Sequence, residues 1–178
     1  MAQGIEGLDK LMKKYGQLAE TVAEQSMEKA VGRAIKMIQG EAKLLCPTHD
    51  GELRDGIKTK TERLDDRVIG SVYINKKYAQ FVELGTGPKG QADHSGISPA
   101  LTPAYSQSPW WIHESQIDAD IAEEYHWFCI DTPDGRFYQC SGQAAQPFMY
   151  PALKNNEERV TRNVSNYIAR EIRKVAEQ

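Results

Sequence analysis

From Ala19 to Leu45 the apolar residues Ala19, Val22, Ala23, Met27, Ala30, Val31, Ala34, Ile35, Ile38, Ala42 and Leu45 recur at spacings of three and four. That period is one continuous helical stripe, and Glu20, Glu24, Glu28, Lys29, Arg33, Lys36 and Lys43 mostly fill the other faces. Gly16 is expected to separate a short lead-in helix over "GLDKLMKKY" from this long one. Pro47 is expected to end it, because the residue before a proline disfavours helical geometry. The period then drops to two. Ile57, Thr59 and Thr61 alternate with Lys58, Lys60 and Glu62, and Val68, Val72 and Ile74 alternate with Ile69, Ser71 and Tyr73. With Asp65-Asp66 between them, residues 57–63 and 68–75 read as an antiparallel hairpin with one face on the long helix.

Residues 86–124 have weak periodicity and many Gly, Pro, Ser and Gln, and read as a long loop. "YHWFCIDTPDGRFYQC" predicts a second hairpin, with strands near 125–130 and 136–140 and Pro-Asp-Gly in the turn. Leu153, Val160, Val164, Tyr167, Ile168, Ile172 and Val175 then mark a last helix over 151–177. The order predicts an α+β domain spanning residues 1–178. Its long N-terminal helix and its C-terminal helix pack on one antiparallel sheet, with a loop and hairpin insertion at about 86–143.

Composition narrows the function. The chain has 178 residues, 40% hydrophobic and 26% charged, with a net charge of −3. That is enough for one folded domain and lacks the clustered cations of a nucleic-acid grip. No run reaches bilayer length, and the first residues show no signal pattern, so the expected site of synthesis is a cytoplasm, with no membrane partner. Three cysteines, Cys46, Cys129 and Cys140, are too few and too scattered for a disulfide framework.

Candidate chemistry is thin. Gly85-Thr86-Gly87 is followed by Pro88 and Lys89, not by the Lys-Ser/Thr of a phosphate loop, and no helix is expected after it. The glycines are better read as a sharp exit from a packed segment. Cys46, His49 and Asp50, and separately His94, His113, His126, Cys129 and Cys140, supply ligand types without paired metal-ligand spacing. Ser95, Ser98, Ser106 and Ser108 have no nucleophile elbow around them. Glu83, a carboxylate in the apolar run "YAQFVEL", is expected to pair with a backbone amide or an Arg and to tie the glycine turn down. No catalytic, cofactor or metal residue is assigned, and an enzyme is not expected.

Three segments together resemble a known family. Cys46-Pro47, Gly51, Leu53 and Ile57 follow the long helix; Tyr78, Ala79, Phe81, Val82, Glu83, Leu84, Gly85 and Thr86 sit in the middle; Pro147, Phe148, Pro151, Ala152 and Leu153 open the last helix. In order and spacing they resemble the head–tail joining or tail-completion (neck) proteins of tailed bacteriophages. The resemblance implies a non-enzymatic virion subunit at the neck or tail. Its partners would be itself, as a hexameric or dodecameric ring, and adjacent neck or tail proteins. DNA would pass through the lumen without specific binding. Pro47, Gly51, Leu53, Tyr78, Phe81, Glu83, Gly85, Thr86, Pro147, Phe148 and Pro151 would then be fold-motif residues, with Phe148 buried between the sheet and the start of the last helix. Leu101, Tyr105, Trp110, Trp111 and Ile112 are expected at an assembly interface, since exposed aromatic residues in a weakly periodic segment are sticky unless covered. Two other readings are a small metal- or thiol-dependent enzyme and a peptide-binding module built on Trp110, Trp111, Trp127 and Phe128.

Overall fold

The stripe between Ala19 and Leu45 is carried by two helices in the computed structural model, which describes residues 8–20, 25–48, 51–124 and 126–177. Helix α1 spans Leu8–Glu20 and α2 spans Met27–Leu45. Val22 and Ala23, counted in the stripe, lie outside the described residues. Gly16 does not divide the helices: α1 runs through it, at the cost of about 1 kcal/mol relative to alanine that a helix interior tolerates. Cys46 leaves α2 in extended geometry while its N–H still reaches Ala42 O at 2.9 Å, as a residue before proline should.

The described chain divides into two compact units, residues 1–75 with 152–178 and residues 76–151. In the first, Ala30, Ala34, Ile35, Ile38 and Ala42 of α2 are buried. The hairpin they cover is β1 (Ile57–Arg63) paired antiparallel with β2 (Val68–Ile74), Ile57 opposite Ile74. At Gly70 the helix comes so close that a Cβ would lie 2.3 Å from Ile35 Cγ2, so a side chain there would push α2 off the sheet. The Gln39 amide also donates to Ile57 O at 2.7 Å. A short α3 (Glu52–Asp55) starts at Gly51, whose φ of +84° suits glycine, and buries Leu53.

The last helix, α7 (Met149–Ala176), was expected on the strands. In this unit its polar ties run to α2. Asn155 and Asn156 donate to the Glu41 carboxylate, and the Tyr167 ring lies 5.3 Å from the Arg33 guanidinium. Asn156 is almost fully buried and also donates to Ala152 O, which satisfies it.

The second unit holds α4 (Ala79–Leu84), α5 (Gly87–Ala92), β3 (Trp110–His113), a 3₁₀ turn at Glu114–Gln116, α6 (Ala119–Glu124), β4 (Cys129–Thr132) and β5 (Gly135–Cys140). The three strands form an antiparallel sheet in the order β3-β5-β4. The α+β class holds, but the described strands make two sheets instead of one. Residues 86–124 are not simply a loop. Trp110–His113 pairs along β5, and a four-residue strand puts only two side chains on each face, too few to read as alternation. A helix also follows the glycine motif, with Pro88 in its first turn, where a missing N–H costs nothing. The second hairpin begins at Cys129 rather than 125, because Trp127 N–H closes back on Ala122 O; Tyr125 lies outside the described residues.

Candidate functional site

In the second unit one motif carboxylate takes up the start of the last helix. Glu83, near the end of α4, accepts the backbone N–H groups of Phe148 at 2.8 Å, Met149 at 2.9 Å and Tyr150 at 3.0 Å. These open α7. A helix leaves its first four N–H groups without internal partners. Here three go to Glu83, and the fourth position is Pro151, which has none. Helix α7 has no acid in its own first turn, so Glu83 also supplies the negative charge that a helix N-terminus favours. The expectation that Glu83 pairs with a backbone amide describes the bond type; the partner is a helix 65 residues on, not the adjacent turn.

The residues after Glu83 cross those before Phe148 at very short range. Thr86 and Gln143 exchange backbone hydrogen bonds at 2.9 and 3.1 Å. Gln146 N–H reaches Val82 O, Lys89 N–H reaches Ser141 O, and the Gln143 amide donates to Phe81 O. Gly85 has φ +76° and ψ 174°, and a Cβ there would lie 2.8 Å from Ala145 N. Gly142 has φ +77°, and a Cβ would lie 2.0 Å from Thr86 O. Only glycine fits at either position. The Gly-Thr-Gly loop therefore grips the protein's own backbone: the Gly85 N–H goes to Phe81 O, the Thr86 N–H to Gln143 O and, just past the loop, the Lys89 N–H to Ser141 O. Gly142 and Gln143 went unmarked in the sequence reading; "SGQ" lies five residues before Pro147, and its glycine is the available signal.

Phe148 is fully buried, whereas Tyr78 and Phe81 are exposed, so the central motif is not a packed segment throughout. A one-turn helix turns Glu83 to the α7 start and leaves Phe81 outward. In the other unit, Pro47, Gly51 and Leu53 shape the path from α2 to β1.

The five expected interface residues separate. The Tyr105 hydroxyl donates to Leu84 O at 2.7 Å, and Trp110 packs over Gly87. With Phe81, Leu84 and Pro103 they line a groove of about 420 Å³. Trp111 faces the opposite side of β3, 6.1 Å from the Phe128 ring. Ile112 and Tyr105 are half-buried; Leu101, Trp110 and Trp111 are exposed.

The candidate ligand groups do not converge. His49 and Asp50 lie outside the described residues. Cys46 and Cys140 are buried and Cys129 is exposed, and none of the three is in a disulfide. His113 is held by Ser115 Oγ and Asp134 O, and His94 sits against Gly90 O and Gln91 O. Among the described residues no cluster of three His, Cys, Asp or Glu could hold a metal ion. On β4, the hydrogen bond from Arg136 at 2.7 Å, helped by its charge, holds the Asp131 carboxyl below the usual carboxylate range. Among the described residues no helix is long and apolar enough to cross a membrane.

No curated protein and no solved structure matches the chain. A family model does match residues 9–85, from α1 through the Gly85 end of the central motif. That stretch carries the Glu83 whose carboxylate caps the α7 start. The resemblance read from the three motifs is thus found independently over this stretch, in the HK97-gp10-like family described as "Bacteriophage HK97-gp10, putative tail-component", and it supports a structural role in a phage tail.

Proposed function

We propose that the protein is a non-enzymatic subunit of a closed ring at the phage neck or tail-completion point, joining tail to head. The observation that carries this beyond the family match is the amount of large apolar surface left open on one subunit. Met12 is 67% exposed, Tyr15 69%, Leu44 86% and Phe128 63%. Met12 and Tyr15 belong to a stripe on α1 with Leu8 and Leu11, which are exposed as well, and soluble monomers rarely leave a contiguous apolar stripe open unless assembly covers it. Leu101, Trp110 and Trp111 belong to the surface that a neighbouring subunit or an adjacent neck or tail protein covers, and Trp110 and Trp111 serve different contacts because they lie on opposite faces of β3. The virion is the site of action. DNA passes through the lumen without specific binding, in keeping with the net charge of −3.

Light scattering on the purified full chain, followed by negative-stain imaging, tests the reading. Rings of six or twelve copies are expected. A monomer at all concentrations up to several hundred micromolar would remove it.

A further inference from the structure

The two units differ in charge. Residues 76–151 carry four Lys and Arg against nine Asp and Glu, a net −5; the rest of the chain carries eighteen against sixteen, a net +2. The asymmetry is concentrated. Between Glu114 and Asp134 the sequence has seven carboxylates and no Lys or Arg. In the first unit, cations gather along two adjoining grooves of about 490 and 550 Å³ that share Arg33, Lys36 and Tyr167. Lys29, Arg33 and Lys36 project from α2 at intervals of four and three residues, and Arg170 enters from α7. Arg33 and Arg170 both stand over the Tyr167 ring, at 5.3 and 5.2 Å, so the groove floor is aromatic and its walls are cationic.

We infer that this groove receives the acidic α6 segment, Asp118 to Glu124, of a second copy of the chain. Asp120 and Glu124 are exposed and one helical turn apart. Lys29 and Arg33 have the same spacing on α2, so two carboxylates and two cations can meet in register. Ile121, between them in sequence and partly exposed, has the Tyr167 ring available. The groove suits discrete carboxylates better than a phosphate backbone. Glu28 lines its continuation, and Glu171 beside Arg170 is held below the usual carboxylate range by Lys174. These acids would repel a strand of uniform negative charge. A basic surface on one unit meeting an acidic surface on the other is a heterologous contact, which closes into a ring when the rotation per subunit allows. The inference rests on the ring reading and names the surfaces that would build it.

The test is a charge exchange in the full chain. Lys29→Glu with Arg33→Glu should raise the midpoint concentration for assembly at least about tenfold, as should Asp120→Lys with Glu124→Lys, because like charges are then set against each other. All four substitutions together should return the midpoint to within about threefold of wild type, and circular dichroism should show each variant folded. Assembly at the wild-type midpoint by either two-residue variant overturns the inference while leaving the ring reading intact, as does failure of the four-residue variant to recover. A wild-type chain that stays monomeric ends both. Binding of a 30-base-pair duplex that the Lys29→Glu, Arg33→Glu variant loses, with assembly unchanged, would make the groove a nucleic-acid surface and overturn the inference.

Discussion

The first unit is held together by side chains and the second by backbone. In the first, an eleven-position apolar stripe predicts what α2 buries, and Ile35, Ile38 and Ala42 are inside on β1 and β2. In the second, α4 and α5 are short helices with few buried side chains, and the order comes from Glu83, Gly85, Thr86 and Gly142 holding segments that are 56 to 67 residues apart. Burial by a stripe is spread over many residues and forgives small changes. A crossing built on two glycines and one carboxylate is concentrated and does not. The first kind tolerates substitution; the second holds one geometry and tolerates little.

The largest effect should come from Phe148, the one aromatic side chain among the described residues of the second unit that is wholly inside. Phe148→Ala should cost about 3–5 kcal/mol, the usual loss for a core aromatic, measured by denaturant unfolding. Ile35→Ala in the first unit should cost about 2–4 kcal/mol by the same measurement. A loss at Phe148 below about 1 kcal/mol would place it with surface residues and remove the idea that the second unit has a side-chain anchor at all.

Next comes the carboxylate. Glu83→Ala should cost about 2–3 kcal/mol, because three N–H groups at the start of α7 lose a charged acceptor in partly buried surroundings. Amide exchange at 148–150 should quicken more than at mid-helix residues such as 160–165. If exchange at 148–150 stays unchanged, water replaces the carboxylate freely and the joint does not depend on it.

What was legible in the sequence follows the same division. Helix α2, the β1–β2 hairpin and the C-terminal helix each repeat a period over many residues, so their existence was readable even though Gly16 did not end α1. The second unit repeats nothing for long. Strand β3 offers two residues per face, and the partner of Glu83 is set by a crossing between distant segments that no local pattern encodes. Glu83 stood out as a lone carboxylate in an apolar run and Gly85 as part of a glycine turn, most other motif residues only through the family resemblance, and what neither gave was that Gly85 and Gly142 meet. Periodicity reports burial against a layer; it is silent about backbone that packs on backbone.

Two glycine substitutions sharpen the contrast by sign. Gly40 lies in exposed α2 with nothing within 4 Å of an added Cβ, so Gly40→Ala should stabilise by about 0.5–1 kcal/mol through lower unfolded-state entropy. Gly85→Ala should destabilise by about 1–3 kcal/mol, from its backbone angles alone and before the overlap with Ala145 is counted. Thermal midpoints of the two variants should therefore move in opposite directions. If both rise, the crossing relaxes easily and the second unit is no more demanding than the first.

The smallest effect is a pH dependence placed in the first unit. Glu41 is held below the ordinary carboxylate value by hydrogen bonds from Asn155 and then Asn156, which outweigh an opposing desolvation, and the Arg159 charge adds a lesser pull in the same direction. A carboxylate with a depressed folded value binds fewer protons folded than unfolded. Its contribution to stability is therefore complete above the unfolded value of 4.5, and it is lost as pH falls from there through the folded value. Glu41→Gln keeps a side chain of similar size and removes the titration. Between pH 7 and pH 5 the variant's stability should track wild type in parallel, and below pH 4.5 wild type should fall more steeply than the variant. Parallel curves for Glu41→Gln and wild type down to pH 3 would show that the tie between α2 and α7 carries no charge-dependent stability, leaving the α2 stripe as what holds that unit.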